Sequence, residues 1–223
     1  MSREYDLDEH ASAGAPQGRR RVGARGPGAP DAAGSSPIER YDRGPIQVRE
    51  YDPQAPVVAR RVIELIAAAR PGAVAEHVGS SAVPGLSGKG IIDLLLPTPS
   101  AEIAEVADAL VAAGLQRQTI ADAFPPSRPM LQGAIRHRGT LYRVHVHVVP
   151  DDSVEVEAMR GFRDALRADK SLRHGYVLVK RDIVARGLTD PGDFTHAKSE
   201  FIVAALERLG LQPDDPPSRA PDA

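Results

Sequence analysis

The sequence of 223 residues contains no cysteine, which excludes disulfide bonds and thiolate metal ligands and favours a cytoplasmic location. No apolar run reaches the roughly eighteen residues of a membrane-spanning helix, and the N-terminus has no apolar stretch typical of a secretory signal. The formal net charge of −2 creates no general basic field. The composition therefore gives no strong signal for binding nucleic acid or a membrane.

Familiar catalytic signatures are also missing, since there is no Walker A, GxSxG, HExxH or Rossmann glycine pattern. Lysine is scarce and supplies only four of the 28 lysine and arginine side chains. These four are Lys89, Lys170, Lys180 and Lys198. A function must therefore be sought in less familiar patterns.

Both ends of the chain are predicted to be disordered tails around one domain at residues 45–211. Residues 1–44 are rich in glycine, proline and charge, so they cannot bury enough surface to offset the entropy of ordering. Residues 212–223 have the same character. The length that remains is typical of a single domain.

Within that domain, strands and helices alternate before three final helices. Apolar patterns predict strands near 46–50, 73–78, 90–96, 115–120, 131–136 and 141–149. Apolar stripes predict helices near 56–69, 100–114, 154–168, 170–186 and 193–209. This order favours an α/β (α+β) fold, in which helices flank a mixed sheet and the last three form a small lobe.

The first candidate site is a Gly79-Ser80-Ser81 turn, followed by Lys89, between two predicted strands. A turn of small residues next to a strand exposes backbone N–H groups that can hold phosphate. Lys89 would neutralise part of the phosphate charge. The alternative is a tight turn whose glycines serve only the backbone conformation.

Asp93 interrupts the apolar strand that follows this turn. An unpaired buried carboxylate is costly, so Asp93 is expected to face a cation or a cavity. In a strand, its face is shared by Ile91 and Leu95. The alternative is a buried carboxylate that caps a neighbouring turn.

The strand YRVHVHVV places His145 and His147 on one face together with Arg143. His-x-His is a known metal-ligand spacing, and Asp93 would supply a third ligand for Mg²⁺, Mn²⁺ or Zn²⁺. A histidine could instead act as a general base. We therefore interpret Asp93, His145 and His147 as candidate catalytic and metal-binding residues, the alternative being two half-exposed histidines on a solvated face.

Further cations lie on predicted helices. Arg163 and Arg167 are one turn apart and would clamp a phosphate. Lys180 follows Tyr176 by one turn, and Lys198 lies on the last helix. All four are candidate phosphate- or nucleotide-binding residues. The alternative for each is an ion-paired or snorkelling side chain on a helix face.

Together these motifs resemble the GrpB family, whose function is uncharacterised and whose fold is nucleotidyltransferase-like. The resemblance covers most of residues 46–209. It rests on the turn YDP, the loop EHVGSSAVPGLSGKGIID, the strand HVHVV, the helix FRDALR, and the segment from Asp193 to Ile202. The implied ligand is a nucleotide or a phosphorylated small molecule.

The resemblance implies a specific division of roles. In nucleotidyltransferases a Gly-Ser turn holds the triphosphate, and acids on two strands bind divalent metal. Gly79 and Ser80 match the turn, and Asp93 matches one acid. The second acid is missing, because the alternate neighbours are Ile91 and Leu95, and histidine stands on the later strand. Two-metal phosphoryl transfer needs several oxygen ligands to hold Mg²⁺.

Three functions remain open from the sequence. The first is transfer of a nucleotidyl or phosphoryl group from a nucleotide to an unknown acceptor. The second is a non-catalytic module that binds a nucleotide or another anionic metabolite and has lost the metal-binding acids. The third is partner docking through the arginines at 19–21 and the helical lobe. Family members also occur fused to dephospho-coenzyme A kinase, whose phosphate loop this chain lacks.

Overall fold

The computed structural model describes residues 36–44, 47–119, 124–188 and 191–211, without the side chains of 191–193 and 195. Residues 1–35 and 212–223, which make up most of the two predicted tails, lie outside the described residues. Residues 36–44 of the predicted N-terminal tail lie inside them.

The described part of the chain contains six strands, five α-helices and two short 3₁₀ helices at Ser80–Ala82 and Ser100–Glu102. The strands are β1 (Ile38–Glu39), β2 (Glu76–Val78), β3 (Ile91–Thr98), β4 (Gln116–Arg117), β5 (Met130–His137) and β6 (Thr140–Pro150). The helices are α1 (Ala55–Ala69), α2 (Ile103–Ala112), α3 (Val154–Ala168), α4 (Lys170–Ala185) and α5 (Pro191–Arg208). The α+β fold class predicted from the sequence is confirmed.

The strands form one mixed sheet in the order β1-β5-β6-β3-β2, with β4 paired to β5. Strands β3 and β6 are parallel, and the other pairs are antiparallel. A parallel pair requires a crossover connection, and here the chain between the two strands forms α2, β4 and β5. The register sets Asp93 opposite His145 and Leu95 opposite His147.

One face of the sheet packs against α1 and α2 and forms the main core. The central strands supply its even-numbered residues, namely Ile92, Leu94, Leu96, Val144, Val146 and Val148. Burying a side chain of this size stabilises the fold by roughly 1.5–3 kcal/mol. A slip of one residue would turn this whole set to the other face. The core therefore fixes which face carries Asp93 and the two histidines.

The opposite face carries those odd-numbered residues and meets the C-terminal helices. A second cluster joins the sheet to α3 through Val78, Leu95, Val149 and Val156. A third cluster joins the loop after the glycine turn to α3 and α4 through Val83, Leu86, Leu166 and Tyr176. The helical lobe is thus packed directly beside the candidate site.

Strand β1 lies ahead of residue 45, the predicted start of the domain, and pairs with β5 at the edge of the sheet. Ile38 of β1 lies over Gly133, where a Cβ atom would come within 2.8 Å of Ile38 Cγ2. Glycine at position 133 therefore makes the room in which β1 docks. A strand of two residues is too short to produce a detectable period in the sequence.

Two other predicted strands also differ from the structure. In the described part of 46–50, Arg49 forms only an isolated bridge with Gly88. The Arg49 N–H donates to the Gly88 carbonyl, and the Gly88 N–H donates to the Arg49 carbonyl. The strand predicted at 115–120 is reduced to β4, and residue 120 lies outside the described residues.

Among the described helices, none combines the length and apolar character needed to cross a membrane.

Candidate metal and phosphate site

Asp93, His145 and His147, referred to below as the triad, lie together on the sheet face opposite α1 and α2. Asp93 Oδ1 is 3.4 Å from His145 Nδ1 and 3.9 Å from His147 Nε2. One potential ligand atom from each residue lies within 4.8 Å of the other two. This spacing is compact enough for all three residues to contact a single metal ion.

The triad is partly buried, with 27% of the Asp93 side chain, 17% of His145 and 16% of His147 exposed. Burial lowers the pKa of His145, although the nearby Asp93 carboxylate opposes this shift. Burial alone would raise the pKa of Asp93, but the two adjacent histidines outweigh it and hold this pKa below its ordinary range. An ionised carboxylate and a neutral His145 result, which are the protonation states that bind metal.

Two aromatic rings flank the histidines. The ring centroids of Tyr41 and His145 are 5.4 Å apart, and the Tyr41 hydroxyl lies 3.1 Å from His145 Nε2. Phe124, which lies between β4 and β5, meets the His147 ring edge-on with the ring centroids 5.5 Å apart. These contacts restrict rotation of both imidazole rings.

The glycine turn is in direct contact with the triad. Gly79 has a φ of +70°, and a Cβ atom there would lie 2.6 Å from Asp93 Oδ2. Both the left-handed backbone and the close approach require glycine at this position. Asp93 therefore touches the histidines with one carboxylate oxygen and packs against the turn with the other.

Lys180 reaches the same turn from α4. It is 2% exposed, and its ammonium group donates hydrogen bonds to Ser80 Oγ at 3.3 Å and to the Ser87 carbonyl. Its Nζ also lies 4.4 Å from the centroid of the Tyr176 ring. Burial lowers the pKa of Lys180 to about 7, with a smaller contribution from the charge of Lys198. The turn therefore adjoins a buried amine whose charge changes near neutral pH.

The other two predicted phosphate-binding lysines lie near each other. Lys89 Nζ is 4.4 Å from the Phe194 ring centroid, and Lys198 Nζ is 5.9 Å from the same centroid. The charge of Lys89 also contributes to lowering the pKa of His145. Three of the four lysines in the sequence thus lie around the turn and the triad.

Ser81 is placed differently from Ser80. Its hydroxyl lies 3.0 Å from His77 Nε2, and it is only 8% exposed. Burial lowers the pKa of His77 to about 4, with a further lowering by two nearby arginines. The neutral His77 side chain therefore contacts the glycine turn through the Ser81 hydroxyl. His77 also helps to line a cavity of about 450 Å³, to which no triad residue contributes.

The two arginines predicted to clamp phosphate bind protein groups. Arg163 is paired with Glu76 at 3.2 Å and with Asp164 at 2.8 Å. Arg167 donates two hydrogen bonds, of 3.1 and 2.9 Å, to the Ala82 carbonyl just after the turn. In this arrangement they tie α3 to β2 and to the turn, and a phosphate role for them stays a prediction.

Tyr41 is a site residue that the sequence did not reveal. It lies in the segment assigned to the N-terminal tail, where Ile38 and Tyr41 are isolated among polar residues. That spacing is the only available signal, and it is too short to define a strand or a helix.

The donor set of the triad fits one divalent ion. Imidazole nitrogens suit Zn²⁺, whereas Mg²⁺ prefers oxygen ligands. The two-Mg²⁺ arrangement of nucleotidyltransferases does not fit, because the cluster found among the described residues has a single carboxylate. Ile91 and Leu95, the alternate neighbours of Asp93, cannot add another.

A parallel strand pair bearing the triad, a glycine turn at its edge and helices on both faces define an α+β protein with a mixed sheet. Within this class the chain belongs to the GrpB family, because the family model described as "GrpB protein" matches residues 45–208. The resemblance predicted from the motifs is thereby confirmed.

Named relatives agree with this assignment. UPF0157 protein SCO7215 of Streptomyces coelicolor is 35% identical over 136 residues, which cover 60% of this chain and 68% of that protein. UPF0157 protein BH1888 of Halalkalibacterium halodurans is 30% identical over 168 residues, covering 73% and 82%. The crystal structure of conserved protein GrpB from Enterococcus faecalis has the same fold, with a TM-score of 0.58 at 20% identity, covering 74% of this chain and 97% of that one.

Proposed function

We propose that the triad and the glycine turn form one site, which binds the phosphate chain of a nucleotide and transfers a nucleotidyl or phosphoryl group to an acceptor. The position of Asp93 carries this proposal. Its Oδ1 faces the two histidines, and its Oδ2 lies against Gly79. A cation held by the triad would therefore neighbour a phosphate held by the turn. A cytoplasmic location is part of the same proposal.

Each group has a distinct task in this proposal. Asp93, His145 and His147 hold a divalent ion, which supplies charge neutralisation at phosphate oxygens. Their donor set favours Zn²⁺ over Mg²⁺. Backbone N–H groups at Gly79 and Ser80 donate hydrogen bonds to phosphate.

The lysines balance the remaining negative charge. Lys89 and Lys198 lie beside Phe194, and Lys180 contacts Ser80. An anion next to a cationic group favours its charged form. Phosphate binding at Ser80 would therefore be coupled to proton uptake by Lys180.

A second candidate function is nucleotide or metabolite binding without transfer. Ile91 and Leu95 support it, because both flank Asp93 on its own face and one of them would have to be acidic for a two-metal mechanism. In that case the site would act as a sensor of an anionic ligand.

The test combines a binding measurement with product analysis. The full chain is titrated calorimetrically with ATP, GTP, CTP and UTP, each with and without Zn²⁺, Mn²⁺ or Mg²⁺. We expect nucleotide affinity to increase with metal, and Zn²⁺ to be the most effective. Release of pyrophosphate or phosphate from a labelled nucleotide would support transfer. Metal-dependent binding without release supports the sensor, and absence of nucleotide binding rejects both transfer and the sensing of a nucleotide.

Gly79→Ala is expected to weaken metal binding through its effect on Asp93. The new Cβ atom would lie 2.6 Å from Asp93 Oδ2, so the carboxylate must shift from the position in which it faces the histidines. Changes to groups that orient metal ligands typically weaken affinity by about 10–100-fold. The measurement is Zn²⁺ affinity by competition with a chromophoric chelator.

Gly85→Ala is the matched control for this variant. Gly85 has a similar φ of +76°, but a Cβ atom there meets nothing within 4 Å. Both positions have a positive φ, which disfavours alanine, and only Gly79→Ala also brings a Cβ atom against Asp93. Equal Zn²⁺ affinities in the two variants would show that the turn does not position the carboxylate.

A further inference from the structure

The Tyr41 side chain contacts the triad, although Tyr41 lies outside the residues that match the family model. It lies in the segment 36–44, ahead of residue 45, where the family match begins. Its hydroxyl is 3.1 Å from His145 Nε2, and the other ring nitrogen, Nδ1, is 3.4 Å from Asp93. His145 is thus held at both ring nitrogens.

The segment that carries Tyr41 is anchored on both sides. The Tyr41 backbone N–H donates to Gln116 Oε1 at 2.9 Å. Before it, the Ser36 hydroxyl donates to the carbonyl that follows α2. After it, Arg143 donates to the Gly44 carbonyl at 3.4 Å. The Tyr41 hydroxyl is therefore delivered to the triad by a docked segment.

We propose that Tyr41 is a positioning residue that holds His145 for metal binding and supports both of its neutral tautomers. In the metal-free site, ionised Asp93 accepts the hydrogen on Nδ1, so Nε2 has a lone pair and accepts the Tyr41 O–H. When Nδ1 is a metal ligand, the imidazole hydrogen is on Nε2 and is donated to the same hydroxyl oxygen. A hydroxyl serves both states because it both donates and accepts. This inference rests on the metal site of the proposed function.

Tyr41→Phe keeps the ring and removes only the hydroxyl. We expect Zn²⁺ affinity to fall about 10–100-fold, the usual effect of removing a partner of a ligating histidine. Tyr142→Phe is the control, since the Tyr142 hydroxyl donates to Asp52 at 2.6 Å on the opposite face of the sheet. A merely structural hydroxyl would change stability alone, so the control should retain wild-type Zn²⁺ affinity. Tyr41→Phe with Zn²⁺ affinity equal to that of the control overturns the inference.

The imidazole ¹⁵N spectrum of the metal-free protein gives a second readout. The wild-type His145 Nε2 signal should be that of a hydrogen-bonded acceptor, and in Tyr41→Phe it should move to the position of a free lone pair. An unmoved signal also overturns the inference.

Neither readout needs a nucleotide, so the two proposals can fail separately. If wild-type protein binds Zn²⁺ with the expected Tyr41 dependence but binds no nucleotide, the proposed function is rejected and the role of Tyr41 is supported. Wild-type protein that binds no Zn²⁺ rejects both.

Discussion

Asp93→Asn is expected to abolish metal binding by the triad and, with it, the metal-dependent part of nucleotide binding. Asparagine preserves the shape of the side chain but removes the anionic oxygen that faces both histidines. A ligand at about one hundred times its Kd stabilises the native state by about 2.7 kcal/mol. For a chain of this length, that corresponds to a rise in melting temperature of roughly 5–10 °C. Zn²⁺ should produce this rise in the wild-type protein and none in Asp93→Asn, as measured by thermal denaturation.

Asp108→Asn is the control for charge removal. Asp108 is an exposed carboxylate, 75% accessible, that pairs with Arg117 away from the site. This variant should keep the full Zn²⁺ effect. The double variant His145→Ala/His147→Ala should lose it, as Asp93→Asn does. If the double variant still responds to Zn²⁺ like the wild type, the histidines are not ligands and the metal site is wrong.

The shared face of the triad could be predicted from the sequence because strand geometry is local. In β6 every second residue points to the same side, so His145 and His147 had to share a face. The same rule predicts that Asp93 points to one face of β3 and the apolar core residues of that strand point to the other face. The contact between the strands was not predictable in this way, because it depends on a parallel crossover whose register is set by core packing.

The contacts of the helical cations depended on tertiary structure as well. Lys180 is 100 residues from Ser80 in the chain. The sequence of its helix does not distinguish it from a lysine on any other amphipathic helix. Arg163 and Arg167 have the spacing of a phosphate clamp, but Glu76 and the Ala82 carbonyl come from distant parts of the chain to bind them. Local spacing identified these side chains as candidates and could not reveal their partners.

Tyr41 illustrates a different limit. The segment around it has too little apolar surface to fold alone, so composition assigned it to a tail. Its order comes from the sheet edge, where Gly133 leaves room for Ile38 and Gln116 binds the Tyr41 backbone. A segment ordered by its surroundings has no signature of its own in a single sequence.

The stability of the protein is expected to rise between about pH 7 and about pH 10 because of Lys180. Burial lowers the pKa of this lysine to about 7 from 10.5 in the unfolded chain. Between these values the unfolded chain binds one more proton than the native protein, so the free energy of unfolding increases with pH. Below pH 7 both states hold the proton and this dependence disappears. The slope attributable to Lys180 is at most about 1.4 kcal/mol per pH unit.

Lys180→Met should remove this slope, because methionine fills a similar volume without an ionisable group. Urea unfolding at pH 7, 8, 9 and 10 measures the difference in free energy of unfolding between wild type and variant, which cancels contributions from other titrating groups. Lys170→Met, which removes an exposed lysine from the start of the same helix, should leave the wild-type pH dependence intact. A constant difference between wild type and Lys180→Met across this range would mean that the buried amine stays charged. Proton uptake on phosphate binding at Ser80 would then have no source in Lys180.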